Sequence, residues 1–477
     1  MFKIIGMTKL IWKLFKIVLT LLLAFLMYVV IGGVVPFLHH PDVSQTKKEA
    51  VESTQFYSDS VGPDRATIIE DNEEALKMRL RVIKDAQKAL ILSTFDFRSD
   101  DAGKDILAAL LNAADRGVKV EIFADGFNSI IQMENNDYFY ALSSNKNIKI
   151  IIYNQVNILI PWNGLGRMHD KYVIADDSLY ILGGRNTFGY FLGDYAGHKN
   201  YDRDVLVYNT GSKDSSIYQI KDYYKKITSQ KCCSVFHCNE SLGEKNSVKK
   251  AEQELKNRYE SLENKYDKFL AENYDYKANT YETNKINLLS NPTSLYTKQP
   301  TVYYGLMYLA KNAKKEVKIH TPYIICNDYM YKELKNIKVP TTIMTNSAEN
   351  NGNIFGAVDY LNHKKDIINT GVTIKEYEGG ISYHGKSMTI DDDIAIVGSF
   401  NMDMRSAYID TELMLVINSK DINKQLKASM EEYEKKAATV KNETEYSHIP
   451  EGMKMKDKKK NIKAWFGWAM NGLRFLF

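Results

Sequence analysis

Hydrophobic positions along this chain switch between two spacings, and they do so in the same order twice. Leu76, Leu80 and Ile83 recur at helical spacing and predict an amphipathic helix. Next come a strand-like run from Ala89 to Phe95, a helical stretch from Lys104 to Ala114 with apolar Ile106, Leu107, Leu110 and Leu111, and a strand-like run from Val118 to Ala124. Strand, helix, strand is the unit that builds parallel sheet. A further strand is predicted over Ile148 to Tyr153. The second half repeats the order with strand Val317 to Ile324, helix Tyr329 to Leu334, strand Thr341 to Thr345, helix Ala357 to Ile368 and strand Val372 to Tyr377. Between them, the lysine- and glutamate-rich stretch from Gly243 to Tyr274 holds no proline, and its alternating charge signs predict a solvated connecting helix.

The N-terminus departs from this rhythm. Ile17 to Leu38 is an uncharged run, long enough at about 1.5 Å per helical residue to cross a hydrocarbon core of about 30 Å. A signal peptide has a shorter apolar region, about 7–15 residues, and ends in a small-residue cleavage site; none follows Pro36. A transmembrane anchor is therefore expected. Lys3, Lys9, Lys13 and Lys16 precede it, so the positive-inside bias keeps the N-terminus cytoplasmic and places the rest of the chain outside, although Lys47 and Lys48 reduce the asymmetry. At the other end, Lys454, Lys456, Lys458, Lys459, Lys460 and Lys463 lead into Trp465, Phe466, Trp468, Phe475 and Phe477. That composition suits an anionic membrane interface and equally a last helix packed on the domain.

The expected organisation is a basic N-terminus (1–16), a transmembrane helix (17–38), a polar linker (39–65), a first α/β domain (66–242), a charged helical connector (243–285), a second α/β domain (286–447) and a basic, aromatic tail (448–477). Composition adds little: 44% hydrophobic residues are ordinary for a globular protein, and a net charge of +4 is too small to argue for nucleic acid. Cys232, Cys233, Cys238 and Cys326 form no disulfide framework. Adjacent cysteines seldom share one ion, so core thiols or one local disulfide are expected rather than a zinc site.

The candidate chemistry lies in a sentence written twice. His169, Lys171, Asp176 and Gly183 share their spacing with His384, Lys386, Asp391 and Gly398, and each set ends in a matching tail, at Asn186 and at Asn401. Alternation places each histidine and lysine on one face of a strand, followed by an acidic turn and a second strand. The motif glycines are expected to let the backbone approach a ligand. Attack on a phosphodiester needs a nucleophile, an acid for the departing alcohol, and positive charge or donors around the non-bridging oxygens. Two imidazoles can share the first two tasks. Lys171 and Lys386 supply charge without a metal, and Asn186 and Asn401 supply amide donors. Asp204 and Glu412, downstream of the two motifs, are expected to orient the histidine rings. Asp176 and Asp391 complete the catalytic motif and are expected to brace the hairpin and the opposing half.

These residues resemble the duplicated HKD signature of the phospholipase D superfamily, and most resemble its bacterial cardiolipin synthases. The likeness extends to Asp101-Ala102-Gly103, Ala113 to Val118, Arg167-Met168-His169, Thr345-Asn346-Ser347, and Gly398 through Arg405-Ser406 to Glu412, covering Ala75 to Asn418. It implies an α/β fold of two similar domains with mixed and parallel sheets flanked by helices, one site at their junction, and no cofactor. It also implies ping-pong transfer through a phosphohistidine. His169 attacks one phosphatidylglycerol while His384 protonates the departing glycerol; His384 then activates the hydroxyl of a second, giving cardiolipin. Ser399 is implied as a phosphate contact, and Gly184 stands where many members have serine. The expected partners are the membrane, phosphatidylglycerol and, as alternative donor, phosphatidylethanolamine; no nucleic acid and no obligate protein partner are expected. Hydrolysis by a phospholipase D and cleavage by a nuclease are the competing activities. A decayed, non-catalytic fold is disfavoured because both His-Lys pairs are complete.

Overall fold

The computed structural model describes residues 2–237, 240–271, 273–455, 472 and 474–476. Among these, each half of the chain forms a nine-stranded mixed sheet. Across the first sheet the order is Tyr281–Glu282, Asp64–Ile69, Asp204–Asn209, Leu179–Gly183, Tyr172–Ala175, Ala89–Thr94, Lys119–Asp125, Ile148–Tyr153 and Cys233–Val235. The second runs Lys285–Ser290, Leu413–Asn418, Ile394–Gly398, Ser387–Ile390, Val317–His320, Thr341–Asn346, Thr373–Tyr377, Ala437–Val440 and Tyr446–His448. In each, three consecutive strands pair in parallel and the motif hairpin pairs antiparallel beside them.

Both faces of the central strands are buried, which explains why they read as nearly continuous apolar runs. In Tyr172–Ala175, Val173 and Ala175 face the helices of their own half, whereas Tyr172 and Ile174 face inward. The inward residues meet Ala395, Val397, Leu413, Leu415 and Ile417 of the other sheet in one shared core. The helices Ile217–Thr228 and Lys420–Glu434 flank that core and reach across it. Gln425 accepts the N–H of Ile68 at 3.0 Å, and Gln219 accepts the N–H of Leu288 at 2.9 Å. The halves are thus joined face to face with approximate two-fold symmetry.

Several expectations about the connecting segments change. The charged stretch forms the helix Asn246–Lys265, but it is one layer of the first half and not a solvated connector. Val248, Ala251, Leu255, Tyr259 and Leu262 make an apolar stripe on its buried face, which the surrounding charges obscured. The expected polar linker lies on the second half: Val43, Val51 and Phe56 enter its core, as does Phe37 from the end of the expected transmembrane run, and Asn284 and Asn287 donate to the backbone oxygens of Ser58 and Gln55. The N-terminal helix runs from Phe2 to Val34, starting well before Ile17, and its apolar portion extends from Leu10 to Phe37 with the adjoining turn. No proline interrupts residues 2–16 to end it sooner.

Cys232, Cys233 and Cys326 carry free thiols, with Cys326 in the core, while Cys238 lies outside the described residues. The lysines from Lys456 to Lys463, with Trp465, Phe466, Trp468 and Phe477, also lie outside them. Near the C-terminus, Arg474 pairs with Asp359 of the second half at 2.6 Å.

The shared core makes a stability prediction. Leu415 is fully buried between the sheets, so Leu415→Ala is expected to cost about 2–5 kcal/mol, read as a lower denaturation midpoint by urea titration of the detergent-solubilised protein.

Candidate active site

The two motifs meet through crossed pairings. Just before each histidine, the chain leaves its own sheet and aligns with a segment of the opposite half: Met168 bridges Thr411, and Ser382–Tyr383 pairs in parallel with Asn200–Tyr201. The strands proper therefore begin later than expected, at Tyr172 and Ser387, and each His-x-Lys lies on an extended lead-in. The N–H of His169 donates to Thr411 Oγ1 at 3.2 Å, and that of His384 donates to Tyr201 O at 2.6 Å.

Each ring then bonds to a carboxylate of the other half. His169 Nδ1 lies 2.8 Å from Glu412 Oε1, and His384 Nδ1 lies 2.6 Å from Asp202 Oδ2. An aromatic edge supports each ring, Phe95 beside His169 and Phe191 beside His384, both with centroids 5.1 Å apart. The lysines lie beneath. Lys171 Nζ donates to His169 O at 2.6 Å; Lys386 Nζ contacts the His384 ring and carbonyl and lies 3.4 Å from Asp202. With its Nδ1 engaged, His169 keeps Nε2 for a substrate, whereas His384 Nε2 lies 3.2 Å from Lys386 Nζ. A cleft of about 280 Å³, lined among others by Tyr190, His198, Asn200, Asn353 and Ser382, reaches His384.

Asp204, expected at a histidine, is not there. It lies buried between Arg79 at 2.9 Å and Arg185 at 3.2 Å. Register explains the correction: Gly183 pairs with Asp204 and Gly398 with Met414, so the counterpart of Glu412 is Asp202. Two aspartates flank Arg203, and only strand pairing selects between them.

The motif aspartates also stand away from the rings, at the far ends of the strands. Asp176 accepts the N–H groups of Gln87, Lys88 and Ala89 at 2.8–2.9 Å, and Asp391 those of Lys314, Lys315 and Glu316 at 2.7–3.2 Å. Both adopt left-handed backbone, φ +53° and +50°, which aspartate tolerates better than most residues. Each braces the hairpin to its own half rather than to the opposing one, and neither touches a catalytic ring.

Two other expectations shift. Ser399 donates to Glu412 and accepts the N–H of Leu413 at 3.0 Å, so its hydroxyl serves the carboxylate instead of a phosphate. A side chain on Gly184 would overlap the carboxylate of Asp202, which accounts for the missing serine. Gly183 and Gly398 make room for the backbone of the neighbouring strand, at Arg203 and Leu413, not for a ligand. Asn186 and Asn401 are buried, and the side-chain oxygen of each has no partner among the described residues.

A family model described as cardiolipin synthase, PLD-like domain matches residues 80–227 and 306–433, one match on each half and more than half of the chain together. The chain belongs to this phospholipase D-like family. It is 26% identical over 408 residues to an uncharacterised protein of Helicobacter pylori strain ATCC 700392 / 26695, covering 77% of this chain and 79% of that one. To cardiolipin synthase 1 of Staphylococcus epidermidis strain ATCC 12228 it is 25% identical over 400 residues, 83% of this chain and 72% of the relative. The crystal structure of phosphatidylserine synthase from Haemophilus influenzae Rd KW20 shares the fold, with a TM-score of 0.60 at 15% identity over 90% of this chain and 100% of that one. The protein is thus a phosphatidyltransferase-like enzyme of the phospholipase D superfamily.

Within this phospholipase D-like site, burial dominates the electrostatics. Desolvation, then Lys171, holds His169 well below the usual imidazole range, and His384 and Lys386 of the opposite half add to that effect. Desolvation and Lys386 push His384 down to about 4. Both rings are therefore neutral at neutral pH. Burial also pushes Lys171 down to about 7 against the pull of Glu412. The carboxylates differ: burial raises Glu412 to about 8, whereas at Asp202 burial is outweighed by Lys386 and His384, which hold it below the usual range. An ionised Asp202 favours a proton on His384; an anionic phosphate entering the site favours it further.

Asp202→Asn is expected to lower kcat by about 10²–10⁴-fold while the protein stays folded. Asp204→Asn leaves buried Arg79 and Arg185 short of a counter-charge and is expected to cost about 3–5 kcal/mol of stability; paired kinetics and thermal melts separate the two effects. In a pH–rate profile, kcat/KM is expected to fall as pH rises through about 7, where Lys171 loses its charge. A plateau extending to about pH 9 would contradict the phosphate-neutralising role of that lysine.

Proposed function

We propose that this chain joins two phosphatidylglycerols into cardiolipin and glycerol, with phosphatidylethanolamine as an alternative phosphatidyl donor. The observation that carries the reading is the crossed pair of histidine–carboxylate contacts, which brings two imidazoles and two buried lysines from separate halves to one junction. His169 Nε2 attacks phosphorus, the bond from phosphorus to the glycerol oxygen breaks, and His384 delivers its proton to that oxygen. His384 then takes the proton from a hydroxyl of the second phosphatidylglycerol. That oxygen attacks phosphorus, and the phosphorus–nitrogen bond to His169 breaks.

The difference between the two carboxylates supports this division of labour: the acid must carry a proton when the headgroup leaves, and Asp202, held ionised beside the otherwise neutral His384 ring, favours that proton once a phosphate anion is bound. Lys171, Lys386, Asn186 and Asn401 surround the phosphate in this reading, and no metal is assigned. The polar cleft beside His384 suits a glycerol headgroup. The apolar helix Leu10–Phe37 supports a lipid rather than a nucleic-acid substrate, since it would hold the site beside a membrane. By the positive-inside bias, the N-terminus is cytoplasmic and the catalytic body faces outward.

Detergent-solubilised protein supplied with phosphatidylglycerol, with and without phosphatidylethanolamine, is expected to yield cardiolipin by mass spectrometry, with glycerol as co-product from phosphatidylglycerol alone. Phosphatidic acid as the sole lipid product would instead indicate hydrolysis, and a cut oligonucleotide without lipid turnover would indicate a nuclease. His169→Ala and His384→Ala are each expected to abolish product.

A further inference from the structure

Between strand Ile148–Tyr153 and the first motif, residues 155–166 contain no charged side chain. The loop is closed at its base by Asn154, whose amide donates to Asn163 O at 2.6 Å and Gly166 O at 2.8 Å. At its tip, Leu159 and Ile158 are 64% and 61% exposed. Such residues in a constrained loop need an apolar environment. A second uncharged segment lies alongside. The helix Gly126–Gln132 meets the loop base so closely that a side chain on Gly126 would overlap Asn154 O, and it exposes Phe127, Ile130 and Ile131.

The N-terminal helix identifies the environment. Tyr28 OH donates to Leu159 O at 2.8 Å, its ring meets Trp162 edge-on at 6.3 Å, and a side chain on Gly32 would collide with Pro161. Tyr28 lies six residues before the end of the helix at Val34, about 9 Å along its axis. If the helix spans a bilayer, a loop touching it at Tyr28 lies at the boundary between headgroups and acyl chains.

We infer that loop 155–166 and helix Gly126–Gln132 form a membrane-inserting collar that holds the first catalytic histidine at the lipid surface. The occupant of this surface is a phospholipid bilayer. The link to the site is short: Asn128 donates to Phe95 O at 3.0 Å, Phe95 packs edge-on against His169, and His169 follows the loop by three residues. The inference rests on the membrane-spanning reading of the helix and not on which lipids react.

The test uses the full chain reconstituted in vesicles of phosphatidylglycerol and phosphatidylethanolamine. Leu159→Cys carries an environment-sensitive fluorophore, with labelled unsubstituted chain as background and Lys213→Cys, 84% exposed at its side chain, as the distant control. Lipids brominated high on the acyl chain are expected to cut emission at least about twofold at position 159 and to leave position 213 unchanged. Equal emission with and without bromine at 159 overturns the collar whether or not the enzyme makes cardiolipin; quenching without lipid turnover keeps the collar and removes the proposed function. In an active preparation, Leu159→Asp and Ile131→Asp are expected to raise KM for vesicle phosphatidylglycerol about tenfold and leave KM for dispersed short-chain phosphatidylglycerol unchanged. An equal loss on both forms would also overturn it.

Discussion

The site depends on an exchange: each half supplies a histidine to the other's carboxylate. His169 with Glu412 and His384 with Asp202 are both contacts across the junction, and the backbone pairings at Met168 and Tyr383 hold the lead-in segments where those contacts form. Neither half contains an oriented imidazole on its own. Docking the two sheets is therefore what assembles the chemistry, and the shared apolar core behind the site supplies the driving force for docking.

Burial then sets the character of the groups. Lys171 and Lys386 are almost wholly shielded from solvent, so their charge acts at close range in a medium that screens it weakly. The same shielding disfavours charge on both rings and on Glu412. A phosphodiester anion supplies the negative charge that this arrangement lacks. The pseudo-symmetry is broken where it matters: glutamate with a serine partner on one side, aspartate against a bare glycine on the other. Two similar halves can in this way hold two histidines in different protonation habits.

Much of this was legible in the sequence. The alternating spacings located the parallel strands and helices of both halves, and the doubled motif located the histidines and lysines. What the sequence could not supply was register. Asp202 and Asp204 flank one arginine, and only the pairing of Gly183 with Asp204 shows that the residue matching Glu412 is Asp202. The bracing role expected of Asp176 and Asp391 was legible, but not which half each would brace; their fixed spacing reflects a turn that needs left-handed backbone and three N–H acceptances, which is as strict about its residue as chemistry is. The helix Asn246–Lys265 looked solvated because charge signs alternate around an apolar stripe that becomes visible only when counted at helical spacing.

Phe37, three residues past the N-terminal helix, is fully buried in the core of the second half. There is no slack between span and body, so in a bilayer the two would move as one rigid float. For such a molecule the search for a second lipid is two-dimensional. Its turnover would answer to the mole fraction of substrate in the surrounding leaflet, and diluting the same lipid with inert neighbours would slow it even at constant bulk amount.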